Sequence, residues 1–320
     1  MTTKALALDF DGKTLQEVEL ANMAKLLADK KPLWLDLDAA STPVAMEVVR
    51  KHLPNQEWLL PIVGLPPSDA IFELTPQYLR LAGWACWPAS RNLAEGWFDI
   101  IVSHNFVLTI DRSNAPFMHH VRSSFQHDFE TYAQSPSFLL YEILDAVFEG
   151  YREVVAHFEK RVARVQASLL RGTKEDTFEE VSTLQLELVR VRRHLAPLRE
   201  ALSRLSRRKS EHVSEATRPY LSSFSDSIDR IMADLSEYRN LLLDSLNLYM
   251  SIVGNRTNQI INRLTVISFI FLPLSFICGI YGMNFKMPEY GWASGYTYFW
   301  MVTISWVLVC VIVMRRLRIL

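Results

Sequence analysis

Three groups of residues in this 320-residue chain have types and spacings that could do chemistry. Asp9-Phe10-Asp11-Gly12-Lys13-Thr14 is the first. An aspartate at a strand end, followed by Asp-Gly-Thr, can attack a phosphoryl group and carry it as an acyl phosphate. Here Lys13 separates Gly12 from Thr14, and an Asp-Gly turn at the end of a strand accounts for the residues with less chemistry. The second group is Gly282-Met283-Asn284, which closes an uncharged run. An asparagine there can cap a helix, or its carbonyl can accept hydrogen bonds from water held by a cation. The third is a stripe at helical spacing: Asn258, Ile261, Leu264 or Thr265, Ser268, Leu272 and Ser275. Such a stripe is either a helix-packing face or the lining of a water-filled path, and spacing alone leaves both open. Cys86, Cys278 and Cys310 are too few for a disulfide framework. The eight histidines show no ligand spacing beyond His119-His120, whose side chains point apart. No structural metal site and no cofactor are expected.

These groups need elements to hold them. Leu264 to Met283 and Tyr296 to Met314 carry no charge, and twenty helical residues rise about 30 Å, the thickness of a bilayer core. They read as two transmembrane helices joined by the short loop Phe285–Gly295, an antiparallel hairpin. The loop charges Lys286 and Glu289 cancel, whereas Arg256, Arg263, Arg315, Arg316 and Arg318 flank the spans. That asymmetry predicts both termini in the cytoplasm. MTTKALALDF has no apolar stretch of signal-peptide length, so the first 250 residues are expected to form a cytoplasmic domain. One inner helix cannot enclose a path, so a pore would require a ring of identical subunits.

The cytoplasmic part begins as alternating α and β pieces. Ala5–Phe10, Leu33–Leu37, Tyr78–Cys86 and Phe98–Ile110 read as β-rich runs, Glu17–Leu27 and Val44–His52 as helices. After Pro136 the pattern is helical: Phe138 to Leu170, Thr177 to about Arg208, then a helix from Pro219 that could continue into the first span. The second of these is basic and the third acidic in its upper part (Asp226, Asp229, Asp234, Glu237, Asp244), so the two are expected to face each other, within or between subunits. With 34 basic against 35 acidic residues, the chain lacks the basic excess that nucleic-acid binding needs. The expected boundaries are 1–135 for the α/β domain, 136–218 for a helical hairpin, 219–263 for a stalk helix, 264–283 and 296–314 for the spans, 284–295 for the loop and 315–320 for a basic tail.

Gly282-Met283-Asn284 ends an uncharged span, precedes Met287-Pro288-Glu289, and is followed by a second span and a basic tail. That arrangement, with the stretch YMSIVGNRTNQIINRLTVISFIFLPLSFICGIYGMN from Tyr249 to Asn284, resembles the CorA family of divalent-cation channels. The resemblance covers about the last 75 residues most closely. It implies a homopentameric funnel in the bilayer of the inner cell membrane: an α/β/α cytoplasmic sandwich, long stalk helices and a two-helix transmembrane hairpin. It also implies no enzyme activity, and Mg²⁺, Co²⁺ or Ni²⁺ as the transported ion. Gly282, Met283 and Asn284 would form the selectivity filter. Asn258, Ile261, Leu264, Leu272 and Ser275 would line the pore, with Ile261 and Leu264 as its hydrophobic constriction. Family members commonly have Met where Leu272 stands and Thr where Ser275 stands.

The departures concern regulation. The family's inhibitory Mg²⁺ site uses an Asp early in the long helix; Ser223 stands at that place, with Asp226 one turn on. Glu57 or Asp69 would be the nearest match to its N-terminal acids, and Lys286 replaces an acidic residue common in the loop. The alternative within the same superfamily is a ZntB-like zinc transporter coupled to protons, since ZntB proteins also lack those regulatory acids.

Overall fold

The alternation Leu33-Trp34-Leu35-Asp36-Leu37 sends its leucines to one side of a strand and Trp34 and Asp36 to the other. The computed structural model describes residues 3–38, 42–53, 56–64, 70–90, 92–171, 175–284 and 287–316, and the chain divides into two units, Met1–Asp244 and Ser245–Leu320. In the first unit β1 (Thr3–Asp9), β2 (Thr14–Glu17), β3 (Leu33–Asp38), β4 (Ile71–Leu74), β5 (Tyr78–Pro88), β6 (Leu93–Ser103) and β7 (Phe106–Asp111) form one sheet. Their order is β2-β1-β3-β7-β6-β5-β4. Only β3 and β7 run parallel, with Leu33 opposite Phe106 and Asp38 opposite Asp111; the other neighbours are antiparallel.

Helices cover both faces. On one, α1 (Met23–Ala28), α2 (Thr42–His52) and α3 (Leu59–Val63) bury Met23, Ala45, Val49, Leu59 and Val63 against Leu33, Leu35, Leu37, Phe106, Leu108 and Ile110. On the other lie α4 (Pro116–Tyr132) and α5 (Ser137–Arg171). There Trp34 meets Phe125 edge-on at 4.8 Å, and the Tyr151 hydroxyl donates to the Trp84 carbonyl at 2.8 Å. Asp36, pointing to this face by the strand period, accepts from Thr109 Oγ1 at 2.7 Å and from Arg122 Nε at 2.6 Å. A buried carboxylate is tolerable only when partnered in this way. Asp111 ends β7 and accepts from the Ser113 and Ala115 amides at 3.0 and 3.1 Å, which takes up free N–H groups just ahead of Pro116. This is the expected α/β/α layering.

Between the layers Arg80 and Asp99 form a bidentate pair, Nε to Oδ1 at 3.0 Å and a guanidinium nitrogen to Oδ2 at 2.7 Å, each side chain 1% exposed. The unit continues into a helix bundle of α5, α6 (Glu175–Arg207) and the first part of α7 (Arg218–Tyr281). Arg161, buried on α5, binds Glu180 at 2.8 Å and Glu187 at 2.5 Å on α6. Phe148 stacks on Phe224 at 4.9 Å. Leu221, Phe224, Ile228, Ile231, Leu235 and Leu242 repeat at intervals of three, four and seven and are buried, the seam of bundled helices. The basic and acidic helices do meet, through Arg199 and Asp229 at 2.5 Å. Both ends of that pair are about half exposed, so it contributes at most about 1 kcal/mol.

The structure differs from the N-terminal reading in several places, β4 and α3 among them. Glu17–Leu27 is not one helix: Glu17 ends β2, a 3₁₀ turn covers Leu20–Asn22, and α1 begins at Met23. The run Phe98–Ile110 is two strands of a hairpin turning at His104-Asn105. Finally, α4 has no counterpart in the sequence reading, because His119, His120, Arg122, His127 and Asp128 dilute its apolar face.

In the second unit the distal part of α7 and α8 (Gly295–Arg316) are the two helices, with a 3₁₀ turn at Pro288–Gly291 before α8. Both helices are long and apolar enough to cross a membrane, and none of the most apolar window of α7 is buried.

Candidate functional site

Tyr281 ends α7, and the chain tightens there: the Gly282 amide donates to the Cys278 carbonyl at 2.9 Å and the Met283 amide to Ile280 at 3.1 Å. A Cβ at residue 282 would lie 3.1 Å from the Cys278 carbonyl oxygen. Glycine therefore suits this close approach, and it sets Met283 and Asn284 beyond the last turn, both exposed. Because α7 ends here, Asn284 sits at the negative end of the helix dipole.

Asn258, Ile261, Leu264, Ser268, Leu272 and Ser275 are all exposed along distal α7. The half-buried residues are Val266, Ile270, Pro273, Leu274, Ile277 and Tyr281. At 100° per residue the centres of these two sets lie about 180° apart. Of the half-buried residues, Tyr281 packs on Phe299 of α8 at 5.6 Å; Phe269, an exposed residue on the flank between the two sets, also reaches α8, at Trp306 6.0 Å away. The helix thus has one face toward α8 and an opposite face bearing the sequence-predicted stripe, with no partner among the described residues of this unit. From Asn258 to Ser275 the stripe rises about 25 Å. Within one chain its members form a line, not a pocket.

The remaining sequence-predicted residues fall in the first unit. Ser223 and Asp226 are exposed on α7, and the Ser223 hydroxyl donates to its own helix at the Tyr220 carbonyl, 2.7 Å away. Glu57 is exposed just before α3, while Asp69, Phe285 and Lys286 lie outside the described residues. Asp9 is spent on its turn: its Oδ1 accepts from the amides of Asp11 at 3.2 Å and Gly12 at 2.9 Å.

One acidic feature escaped the sequence reading. A cleft of about 1070 Å³ between α4, α5 and the start of α7 is lined by Asp128, Glu142, Asp145, Glu149 and Glu153 among others. Burial, and then the charges of Asp128 and Asp145, push the Glu142 carboxyl from 4.5 up to about 7. The signal available in sequence was Glu142, Asp145 and Glu149, spaced at three and four on one helix face. A raised carboxyl value means the folded chain holds a proton that the unfolded chain releases. The contribution of Glu142 to stability is therefore full below about 4.5, falls as pH rises through about 7, and then levels. Glu142→Gln should flatten that decline, as thermal melts at pH 5 and pH 8 would show.

The family model described as "CorA-like Mg2+ transporter protein" matches residues 29–318. Among curated relatives, the cobalt/magnesium transport protein CorA of Thermotoga maritima is 34% identical over 160 residues, 50% of this chain and 46% of that one. The zinc transport protein ZntB of Yersinia enterocolitica is 24% identical over 148 residues, 45% of this chain and 44% of that one. The chain thus spans about half the length of these relatives. The solved CorA magnesium transporter from Methanocaldococcus jannaschii superposes with a TM-score of 0.84 at 18% identity, covering 99% of this chain and 98% of that one. That likeness establishes the fold, and the match over residues 29–318 places this chain in the CorA-like Mg2+ transporter protein family.

Proposed function

We propose that the chain assembles as a homopentameric ring in the inner cell membrane and conducts divalent cations, Mg²⁺ first, with Co²⁺ and Ni²⁺ as companions. The observation that carries this reading is the two-faced distal α7: one side meets α8, and the opposite side presents Asn258, Ile261, Leu264, Leu272 and Ser275 up to Gly282-Met283-Asn284. Repeating such a helix around an axis turns the line into a lining. Mg²⁺ gives up water reluctantly, so a selector does better to read the hydrated ion. A ring of Asn284 carbonyls offers acceptors to that shell without the trap of a carboxylate ring. Ile261 and Leu264 form an apolar constriction that closes by dewetting. The charge asymmetry of the flanking arginines puts both termini in the cytoplasm.

A zinc-carrying reading has its own support, in Ser223 at the place of the family's inhibitory aspartate and in the likeness to a zinc transport protein. Flux measurements in proteoliposomes with Mg²⁺, Co²⁺ and Zn²⁺, at varied internal Mg²⁺, test both. The expected result is Mg²⁺ and Co²⁺ flux with only weak inhibition by internal Mg²⁺, since Asp226 alone stands near the inhibitory position. Transport of Zn²⁺ but not Mg²⁺, accelerated by a pH gradient, would overturn the leading reading.

A further inference from the structure

Cys86 on β5, Glu95 on β6 and His194 on α6 bring a sulfur, a carboxylate oxygen and an imidazole nitrogen within 4.8 Å of one another. We propose that these three side chains bind a borderline-soft divalent cation of the zinc class, separate from the ion path and independent of the reading given above.

The donor set is selective by type. Thiolate and imidazole favour zinc-class ions over Mg²⁺, which prefers oxygen, and a carboxylate completes a mixed S, N, O set. Bond lengths of about 2.0 to 2.3 Å in a tetrahedral site put ligand atoms about 3.3 to 3.8 Å apart. The His194 Nε2 to Glu95 Oε2 distance is 2.8 Å and all the others are at most 4.8 Å, so side-chain shifts of about 1 Å are enough.

The surroundings hold two of the three donors firmly. Cys86 is 2% exposed on the long β5–β6 hairpin, where it stands opposite Glu95 in register. Helix α5 presses against the Cys86 backbone so closely that a Cβ on Gly150 would lie 2.9 Å from the Cys86 carbonyl oxygen. His194 is 6% exposed and its ring packs against Trp84 at 5.2 Å. Glu95 keeps 35% of its side-chain surface exposed, which provides the entry route. Three protein ligands leave a fourth position for water. As the metal–sulfur bond forms, the thiol proton leaves to solvent, and the ion ties α6 to the β5–β6 hairpin. Sequence spacing gave no sign of this site: His194 is 99 residues from Glu95.

Titration of the purified full-length protein in detergent with Co²⁺ tests the site, because a thiolate-to-cobalt charge-transfer band reports sulfur ligation and ions in the proposed pore would not produce it. The expected result is a band saturating at one Co²⁺ per chain and bleached by Zn²⁺. It should be unchanged in the Cys278→Ser/Cys310→Ser double variant and in Asn284→Ala, and lost in Cys86→Ser. His194→Gln, which leaves the thiol in place, should weaken Co²⁺ binding at least about tenfold while its thermal melt stays cooperative. No band in the unmodified protein, a band that survives Cys86→Ser, or undiminished affinity in a folded His194→Gln would each overturn the proposal. Loss of the band in Asn284→Ala would also overturn it, because the signal would then belong to the ion path.

Discussion

Replacing Asn284 by alanine is expected to reduce divalent-cation flux to the background of empty liposomes while leaving the assembled protein intact. The two halves of that expectation have different physical sources. Asn284 is exposed one residue beyond the tightened turn at Gly282 and Met283, so no core packing is lost, and substitutions at such positions usually change stability by no more than about 0.5 kcal/mol. Flux, in contrast, would lose every carboxamide of the proposed ring at once, since a symmetric assembly would repeat the change in each subunit. A methyl group offers no acceptor to the water shell of an approaching ion, and stripping that shell is costly for Mg²⁺. The dipole end of α7 would remain but has no directed oxygen to place against the bound water. Ion flux in proteoliposomes, paired with size-exclusion chromatography of the same sample, reads both halves. Full flux through an intact Asn284→Ala assembly would remove the ring as selector.

The largest stability effect is expected at the other end of the chain, in Arg80→Met. Arg80 and Asp99 pair through two hydrogen bonds, at 3.0 and 2.7 Å, with each side chain 1% exposed. Methionine fills much of the volume of Arg80 but leaves the Asp99 carboxylate without its main partner. Removing one member of a buried pair costs about 3–5 kcal/mol, chiefly because a lone charge stays out of water. For a unit of this size that corresponds to a melting point lower by about 6–20 °C. The double replacement Arg80→Met with Asp99→Leu should recover most of the loss, because an apolar pair of similar volume is often as stable as the ion pair it replaces. Circular dichroism melts of the single and double variants separate the cases. A double variant as unstable as the single one would mean that the attraction of the pair, and not the orphaned charge, sets the cost.

How much of this was legible in the sequence depended on how local the signal was. The uncharged runs placed α8 to within about two residues at either end, Gly295–Arg316 against Tyr296–Met314. They also carried α7 unbroken through Pro273, because length and absence of charge are properties of a single stretch. Strands β3 and β5, rich in leucine, tryptophan and alternating apolar residues, were equally plain. What failed were elements whose identity is decided by neighbours. Strands β2 and β4, four residues each, are edge strands that exist because β1 and β5 pair with them. Helix α4 carries polar residues on much of its surface, and only packing of Phe117, Val121, Phe125 and Phe129 against the sheet reveals its buried stripe. The stripe on α7 was visible as a period, but its separation from the α8 contact face needed the burial pattern. Cys86, Glu95 and His194 come from three elements far apart in the chain, and no local spacing could have joined them.

The single parallel pairing in the sheet has a consequence for how the protein is made. Strand β3 is buried between β1 and β7, yet 73 residues separate Asp38 from Asp111. A ribosome adding about 5–20 residues per second finishes β3 roughly 4–15 s before β7 is complete. During that interval Leu33, Leu35 and Leu37 lack their central neighbour, and one row of backbone N–H and C=O groups on β3 is unpaired. The nascent chain therefore passes through a stage in which a bare apolar edge awaits its last strand. Synonymous codon changes that slow translation between residues 38 and 106 should prolong chaperone contact without altering the finished fold.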